Sequence, residues 1–284
     1  MNTQETKPQD RNKDVRLFFG LTFLITWGVW IPLVLLQADS PLMKLGTFGP
    51  TLAALLLISF REGRAGLIRI GRQLTRWQVS WIWYAAVLVG PALMMAAAVF
   101  LFRLFGGTGL EFQDPSQWYL IPVIFGYVLF TSVLGEEIGW RGYALPGLLT
   151  NLNPLPASLI LGAVWGIWHL PLFWLAGDFH QEIPLILFLV QVTATSVIYT
   201  WMYLRTRGSL LIIHLFHAAT NTAAGLLPIL PFNAGGSLVP FAVSVGLLTA
   251  GAGLVVLLGG LEEHAAGQSR KLENSFIRRK SDYA

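Results

Sequence analysis

Two adjacent glutamates and one arginine stand inside a long apolar stretch of this sequence, where charged side chains are costly to bury. Neighbouring side chains on a helix point about 100° apart, so the carboxylates of Glu136 and Glu137 face different directions. Glu137 and Arg141 have the i, i+4 spacing, with Glu first, that favours an ion pair on a helix. Glu136 lacks that partner and is free to act as a general base. The alternative is that all three lie at a solvated helix end.

Histidines follow in two later apolar segments. His169 lies one helical turn after Trp165, whose indole can pack against the imidazole, although a single histidine on an apolar face is commonly a core residue. His214, His217 and Asn221 share one stripe of a helix, because they are spaced i, i+3 and i, i+7. A helix in lipid does not expose such a stripe, so we expect it to face the bundle interior, either in a site or in a polar contact between helices.

These three groups together could activate a water molecule. They supply a base, groups that stabilise a developing charge, and groups that orient the reactants. Imidazole and carboxylate side chains are also ligands for divalent metals, so a metal site remains an open alternative.

The composition indicates that a membrane surrounds these residues. Of 284 residues, 54% are hydrophobic and only 12% are charged. This balance excludes a disordered chain, a basic nucleic-acid-binding domain and most soluble enzymes. The absence of cysteine excludes disulfides and thiol catalysis. We therefore predict an all-α, polytopic transmembrane helical bundle that contacts the lipid bilayer and no nucleic acid.

Eight apolar stretches are candidate spans, and the first is expected to be retained rather than cleaved as a signal peptide. The second is short and the fourth is overlong. The predicted domains are a cytoplasmic segment 1–14, a bundle 15–260 with a catalytic core at about 118–230, and a cytoplasmic tail 261–284. The eight predicted spans are approximately Val15–Leu36, Met43–Phe60, Val79–Phe102, Trp118–Leu145, Pro156–Leu175, Ile183–Leu204, Ser209–Leu230 and Leu238–Gly260.

The distribution of charge supports this count. With both termini in the cytoplasm, 16 of the 19 Lys and Arg residues fall in cytoplasmic segments. The basic segment Arg61–Trp77 interleaves apolar residues, so it is either an amphipathic helix on the membrane surface or a basic loop. The loops on the other side carry acidic residues, namely Asp39, Glu111, Asp114, Asp178 and Glu182.

At the motif residues the sequence resembles the CPBP intramembrane endopeptidases. This family comprises CAAX prenyl proteases and bacteriocin-processing or Abi proteins, and its members are often called intramembrane metalloproteases. The first motif stands here as Glu136-Glu137-Ile138-Gly139-Trp140-Arg141. The second is Trp165…His169, with Trp where the family usually has Phe, and the last is His217…Asn221. The resemblance covers Gly126–Gly225, about a third of the chain.

The resemblance implies an eight-helix bundle that hydrolyses peptide bonds at a site inside the membrane, open to the cytoplasm. Carried over position by position, Glu136 would activate water and His169 would assist it. His217 and Asn221 would stabilise the oxyanion. The supporting residues would be Glu137, Arg141, Trp165 and His214, the last of which is not a family position.

The sequence leaves the metal question open. It has no His-Glu-x-x-His signature, and Asn is an unusual zinc ligand, so we favour a site that needs no cofactor. The alternative is zinc held by Glu136, His169 and His217. Glu136 and His169 lie on opposite sides of the midpoints of their spans, which places them about 10 Å apart along the bundle unless helix tilt removes the offset.

We expect a peptide or membrane-protein substrate, with or without a lipid. We also expect a multi-pass location in a cell membrane, namely the cytoplasmic membrane of a bacterium. Two other functions stay open. The first is a proton-coupled transporter with a buried Glu and His relay. The second is a non-catalytic membrane scaffold or immunity protein.

Overall fold

The computed structural model describes residues 8–38 and 40–261, with side chains from residue 13 onward. All regular elements in these ranges are helical, apart from one bridge between Leu110 and Ala234, which confirms the all-α prediction. The predicted tail lies outside the described residues except for residue 261, as do residues 1–7 and Asp39. The α-helices are α1 Pro8–Leu35, α2 Met43–Thr47, α3 Gly49–Arg61, α4 Gly63–Leu74, α5 Trp81–Leu104, α6 Ile121–Val128, α7 Leu134–Gly139, α8 Leu145–Leu148, α9 Pro154–Trp168, α10 Leu185–Arg205, α11 Leu210–Leu226 and α12 Val239–Leu257.

Six segments of the described chain are long and apolar enough to cross a bilayer. Two of the predicted spans correspond instead to the shorter apolar helices α3 and α11. The structure is thus consistent with about eight spans, of which two are short. The six long segments are Lys13–Leu35, Trp81–Leu104, Pro115–Leu148, Pro154–Trp174, Leu185–Arg205 and Val239–Leu257.

Three predicted spans are not continuous α-helices, among them the fourth, which two π-helical turns interrupt. The second, predicted as Met43–Phe60, is divided at Phe48 into α2 and α3. Pro50 lies in the first turn of α3, where its missing N–H is tolerated, so it starts a new helix instead of continuing the old one. The fifth ends as an α-helix at Trp168 and continues as the 3₁₀ turn Leu170–Trp174.

The described basic segments meet at one end of the bundle. Arg61 at the end of α3 pairs with Asp14 near the start of α1, at 3.1 Å. Gln73 of α4 donates a hydrogen bond to the hydroxyl of Tyr203 near the end of α10, at 3.0 Å. The acidic loops lie at the other end. There the backbone N–H of Glu111 donates to the carbonyl of Asn233, at 2.9 Å. The basic end is the one that the charge bias assigns to the cytoplasm.

The segment Arg61–Trp77, for which two interpretations were open, contains a helix. Ile70 of α4 is only 3% exposed, whereas Leu67 and Ile68 are exposed. Arg69 Nη1 donates to the carbonyl of Gly142, at 3.4 Å. Helix α4 therefore lies across the basic end of the bundle, with one face packed against the helices that carry the motif residues.

Apolar side chains cover the outer surface between the two ends. Exposed examples are Leu24, Leu93 and Phe130, which belong to three different spans. Exposed aromatic residues flank this surface, as is usual at the two membrane interfaces. They are Trp77 and Trp81 at the basic end, and Trp118, Tyr119 and Trp174 at the other. The chain is a multi-pass membrane protein.

Candidate active site

The two glutamates of the first motif lie on α7, a short helix between two π-helical turns, Leu129–Val133 and Trp140–Ala144. A π turn widens the helix and disturbs its regular hydrogen bonds, and such turns occur often at functional sites. Threonine hydroxyls supply partners for carbonyls of this segment: Thr51 donates to the carbonyl of Leu134 at 2.8 Å. In a bilayer these groups have to be satisfied within the protein. Sequence periodicity did not predict these turns.

Two glycines let α7 approach the junction of α2 and α3 at backbone distance. A Cβ atom added at Gly135 would lie 2.6 Å from the carbonyl oxygen of Thr47. A Cβ atom at Gly139 would lie 2.5 Å from the carbonyl group of Pro50. Small residues one turn apart are a common means of close helix packing in membranes. The glutamates are therefore held on a segment whose position is fixed by backbone contact.

Glu137 and Arg141 form the ion pair that their spacing predicted. Arg141 Nη1 donates to both Glu137 carboxylate oxygens, at 3.0 and 3.1 Å, and both side chains are fully buried. His217 Nδ1–H donates to Glu137 Oε1 at 2.7 Å. The guanidinium carbon lies 4.2 Å from the ring centroid of Trp165 and 4.5 Å from that of Tyr199. These contacts link three motif positions into one buried chain that runs from Arg141 through Glu137 to His217.

Glu136 has different surroundings from its neighbour. Its side chain is buried, and Trp165 Nε1–H donates to its Oε2 atom at 2.8 Å. No described cation forms an ion pair with this carboxylate. The ring of His217 lies against the same indole, with centroids 5.6 Å apart. The indole of Trp165 thus contacts Glu136, His217 and the guanidinium of the ion pair.

His169 meets this cluster through the backbone of the same helix. Its Nδ1 atom is hydrogen-bonded to the carbonyl of Trp165 at 2.9 Å, and the two rings lie 6.0 Å apart. Because Glu136 contacts α9 at Trp165, it meets that helix four residues before His169, which corresponds to about 6 Å of helical rise. Glu136 therefore meets α9 about one helical turn before His169, less than the offset of about 10 Å expected from the sequence.

The stripe on α11 is only partly internal. His214 and His217 are buried, but Asn221 is exposed. The expectation that all three face the interior was therefore wrong for Asn221, because that face of α11 is uncovered one turn beyond His217. His214 Nδ1 is hydrogen-bonded to the carbonyl of Leu210 at 2.7 Å, and its Nε2 atom is buried with no described partner.

Two residues that sequence reasoning missed also belong to this region. Tyr199 covers one face of the Arg141 guanidinium. His180 is buried, stacks on His169 with ring centroids 5.6 Å apart, and contacts Asp178 Oδ1 through Nδ1 at 2.6 Å. Burial raises the pKa of Asp178, but the hydrogen bonds from His180 outweigh it and hold that pKa below its ordinary value. The signal in the sequence is the Asp-x-His spacing of Asp178 and His180.

The predicted metal ligands do not form a ligand set in this geometry. Within the described part of the chain, no three His, Asp or Glu side chains converge as metal ligands do. As placed in this structure, Glu136, His169 and His217 do not form the ligand set of the zinc alternative.

Comparison with known proteins identifies the same region. A family model described as type II CAAX prenyl endopeptidase Rce1-like matches residues 116–223, the segment that contains every motif residue described above. CAAX prenyl protease 2 of Methanococcus maripaludis is 25% identical over 232 residues, which are 75% of this chain and 85% of that protein. These similarities favour a protease over a transporter or a non-catalytic scaffold. Both similarities support the CPBP family of CAAX-protease-like intramembrane endopeptidases as the family of this chain.

Proposed function

We propose that this protease cleaves its substrate with a water molecule that Glu136 activates. The observation that carries the proposal is the contrast between two adjacent buried carboxylates. Glu137 binds Arg141 and His217, whereas among the described residues Glu136 has a single hydrogen-bond partner, Trp165. A carboxylate with no neutralising cation in a dry site is a strong proton acceptor, which suits it to act as a general base.

His217 is the proposed oxyanion stabiliser. Because its Nδ1–H donates to Glu137, the Nε2 atom is left to face a substrate. The Glu137 carboxylate orients the ring, in the way that the acidic member of a catalytic triad does, and in this proposal His217 acts as an imidazolium that donates from Nε2 to the developing oxyanion. Asn221 lies one turn further on α11 with an exposed side chain, so its amide is accessible to a substrate. Arg141 and Trp165 hold the carboxylates in place.

The proposed reaction is a general-base hydrolysis. Glu136 removes a proton from the water, the water oxygen bonds to the scissile carbonyl carbon, and the carbonyl electron pair moves to oxygen. His217 and Asn221 hold that oxygen with hydrogen bonds, while His169 orients the water. When the C–N bond breaks, Glu136 passes its proton to the departing nitrogen, which regenerates the carboxylate.

The proposed substrate is a peptide or membrane-protein segment that enters from the cytoplasmic side. The Methanococcus maripaludis relative is named for prenylated CAAX substrates. We extend this to the present chain as a proposal that lipidated C-terminal segments are cleaved in a bacterial cytoplasmic membrane.

The test uses purified protein in lipid nanodiscs. Wild type and Glu136→Gln would be incubated with matched fluorogenic peptides, each prenylated or unprenylated. We expect cleavage by wild type and a loss of about 100-fold or more in Glu136→Gln, the usual contribution of a general base. Retention of cleavage by Glu136→Gln would refute the assignment of the base. Preference for the prenylated member of a pair would support the lipidated substrate, and equal cleavage would contradict it.

A chelator arm of the same experiment tests the metal question. A site that relies on Glu136 without a metal should keep its activity after prolonged treatment with a strong zinc chelator. Loss of activity on chelation, with recovery on adding zinc, would show that the metal-independent proposal is wrong.

A further inference from the structure

A polar cavity lies at the basic end of the bundle, and neither glutamate of the first motif lines it. It occupies about 610 Å³ between the α4–α5 connection and the α10–α11 connection. No described aspartate or glutamate lines it. The charged and aromatic residues that line it are Arg72, Arg76, Trp77, Trp83, Arg205 and Arg207.

Long-range contacts hold the two walls of this arginine pocket together. Ser209 Oγ–H donates to the backbone carbonyl of Arg76 at 2.7 Å, which joins the two connections directly. The chain turns sharply after α10 through two residues with positive φ, Arg207 at 56° and Gly208 at 77°. A side chain in this conformation is unfavourable by about 1 kcal/mol or more, so the fold maintains Arg207 in an unfavourable backbone position.

Three of the arginines that line the pocket have no carboxylate partner in the described part of the protein. Arg72, Arg76 and Arg207 make no ion pair with a described carboxylate, in contrast to Arg61 and Arg69 on the same side of the bundle. The pocket also lies at the start of α5. Ser80 lines it as the N-terminal cap of that 24-residue helix, and its side chain makes no capping hydrogen bond. The first-turn N–H groups and the helix dipole add to the attraction for an anion.

The location of the arginine pocket indicates which anion it meets. Trp77 and Trp81 beside it are 66% and 74% exposed, as expected for aromatic residues at the level of lipid headgroups. Guanidinium groups bind phosphate oxygens in a two-pronged geometry. Basic pockets between helices on the cytoplasmic side suit anionic headgroups, because that leaflet is negatively charged.

We propose that the arginine pocket binds the phosphodiester headgroup of an anionic phospholipid. Through Arg76 and Ser209 the bound lipid would fasten the end of α4 to the start of α11, the helix that carries His217. The proposal concerns lipid binding and stability, and it holds or fails independently of peptidase activity.

The experiment compares thermal unfolding in nanodiscs of phosphatidylcholine with unfolding in nanodiscs that also contain phosphatidylglycerol. We expect phosphatidylglycerol to raise the unfolding temperature of wild type. The double variant Arg76→Gln/Arg207→Gln should lose most of that rise, since each charge near the surface contributes a factor of about five to binding. The control, Arg16→Gln/Arg64→Gln, removes the same charge from exposed positions outside the pocket and should keep the rise.

Three outcomes would overturn the proposal. In the first, phosphatidylglycerol stabilises wild type no more than phosphatidylcholine does. In the second, the control variant loses as much of the rise as the pocket variant. In the third, inorganic phosphate added to phosphatidylcholine nanodiscs reproduces the effect, which would identify a free-anion site. Because each variant is compared with itself in two membranes, a general folding defect does not mimic a positive result.

Discussion

Breaking the ion pair between Glu137 and Arg141 should lower the free energy of unfolding far more than breaking an exposed ion pair with a similar N···O distance. In Glu137→Gln, Arg141 loses a charged partner at 3.0 and 3.1 Å, and His217 loses its acceptor at 2.7 Å. The Nε and Nη2 atoms of Arg141 have no described partner to replace it, although two aromatic rings flank the guanidinium. Removing one member of a buried pair in this way typically costs about 3–5 kcal/mol.

A double-mutant cycle isolates the interaction. Arg141→Met should destabilise by a similar amount, because it leaves the Glu137 carboxylate buried beside His217 alone. The double variant Glu137→Gln/Arg141→Met removes both charges. It should therefore lose less free energy of unfolding than the two single variants together, by at least about 2 kcal/mol. The free energy of unfolding would be measured for all four proteins by titration with SDS in mixed micelles.

The exposed pair Glu62–Arg69 is the matched control. Its N···O distance is also 3.0 Å, but its side chains are 39% and 38% exposed. Glu62→Gln should therefore cost less than about 1 kcal/mol. If the stability lost in Glu137→Gln/Arg141→Met equals the sum of the losses in the two single variants, within about 0.5 kcal/mol, the conclusion that Glu137 and Arg141 act as one buried unit is refuted.

Two further perturbations test the surroundings of the site. Gly139→Ala places a methyl group 2.5 Å from the Pro50 carbonyl and should lower the free energy of unfolding by about 1–3 kcal/mol. In Gly142→Ala the nearest atoms are the ends of the Leu210 and Ile70 side chains, at 3.1 and 3.2 Å, which can move, so this variant should be tolerated. Equal melting temperatures for the two variants would contradict the close backbone approach. Asp178→Asn should lower the free energy of unfolding by about 1–3 kcal/mol, because it weakens the contact with His180. The control Glu182→Gln, at an exposed position, should lower it less. The fold lowers the pKa of Asp178 from 3.8, so the stability that its carboxylate contributes is fully present above pH 3.8 and is lost as the pH falls through the lower folded value. A stability difference between wild type and Asp178→Asn that persists in stronger acid would contradict this explanation.

The sequence predicted the parts of this protein that depend on local spacing. Glu137 and Arg141 pair because i, i+4 residues meet on any helix, and the division between Glu136 and Glu137 follows from helical geometry. The all-α bundle and its polar ends followed from apolar run lengths and charge bias. These features needed no knowledge of which helices are neighbours.

The features that the sequence did not predict depend on contacts between distant segments. The π turns around α7 are stabilised by threonines of α2 and α3, which a pattern confined to one helix cannot indicate. Tyr199 and His180 join the site only because α10 and the preceding loop pack beside α9. Asn221 was expected to be internal from its stripe, but exposure depends on whether another element covers that level of α11.

The most direct test of the division between the two glutamates is one paired measurement on Glu136→Gln: its rate of peptide cleavage and its unfolding temperature, in the same nanodisc preparation. The amide oxygen of Gln can still accept the hydrogen bond from Trp165, and a neutral amide is easier to bury than a carboxylate with no paired cation. We therefore expect cleavage to fall by about 100-fold or more while the unfolding temperature stays the same or rises. Cleavage at the wild-type rate, or an unfolding temperature lowered as far as in Glu137→Gln, would contradict the assignment of Glu136 as the base.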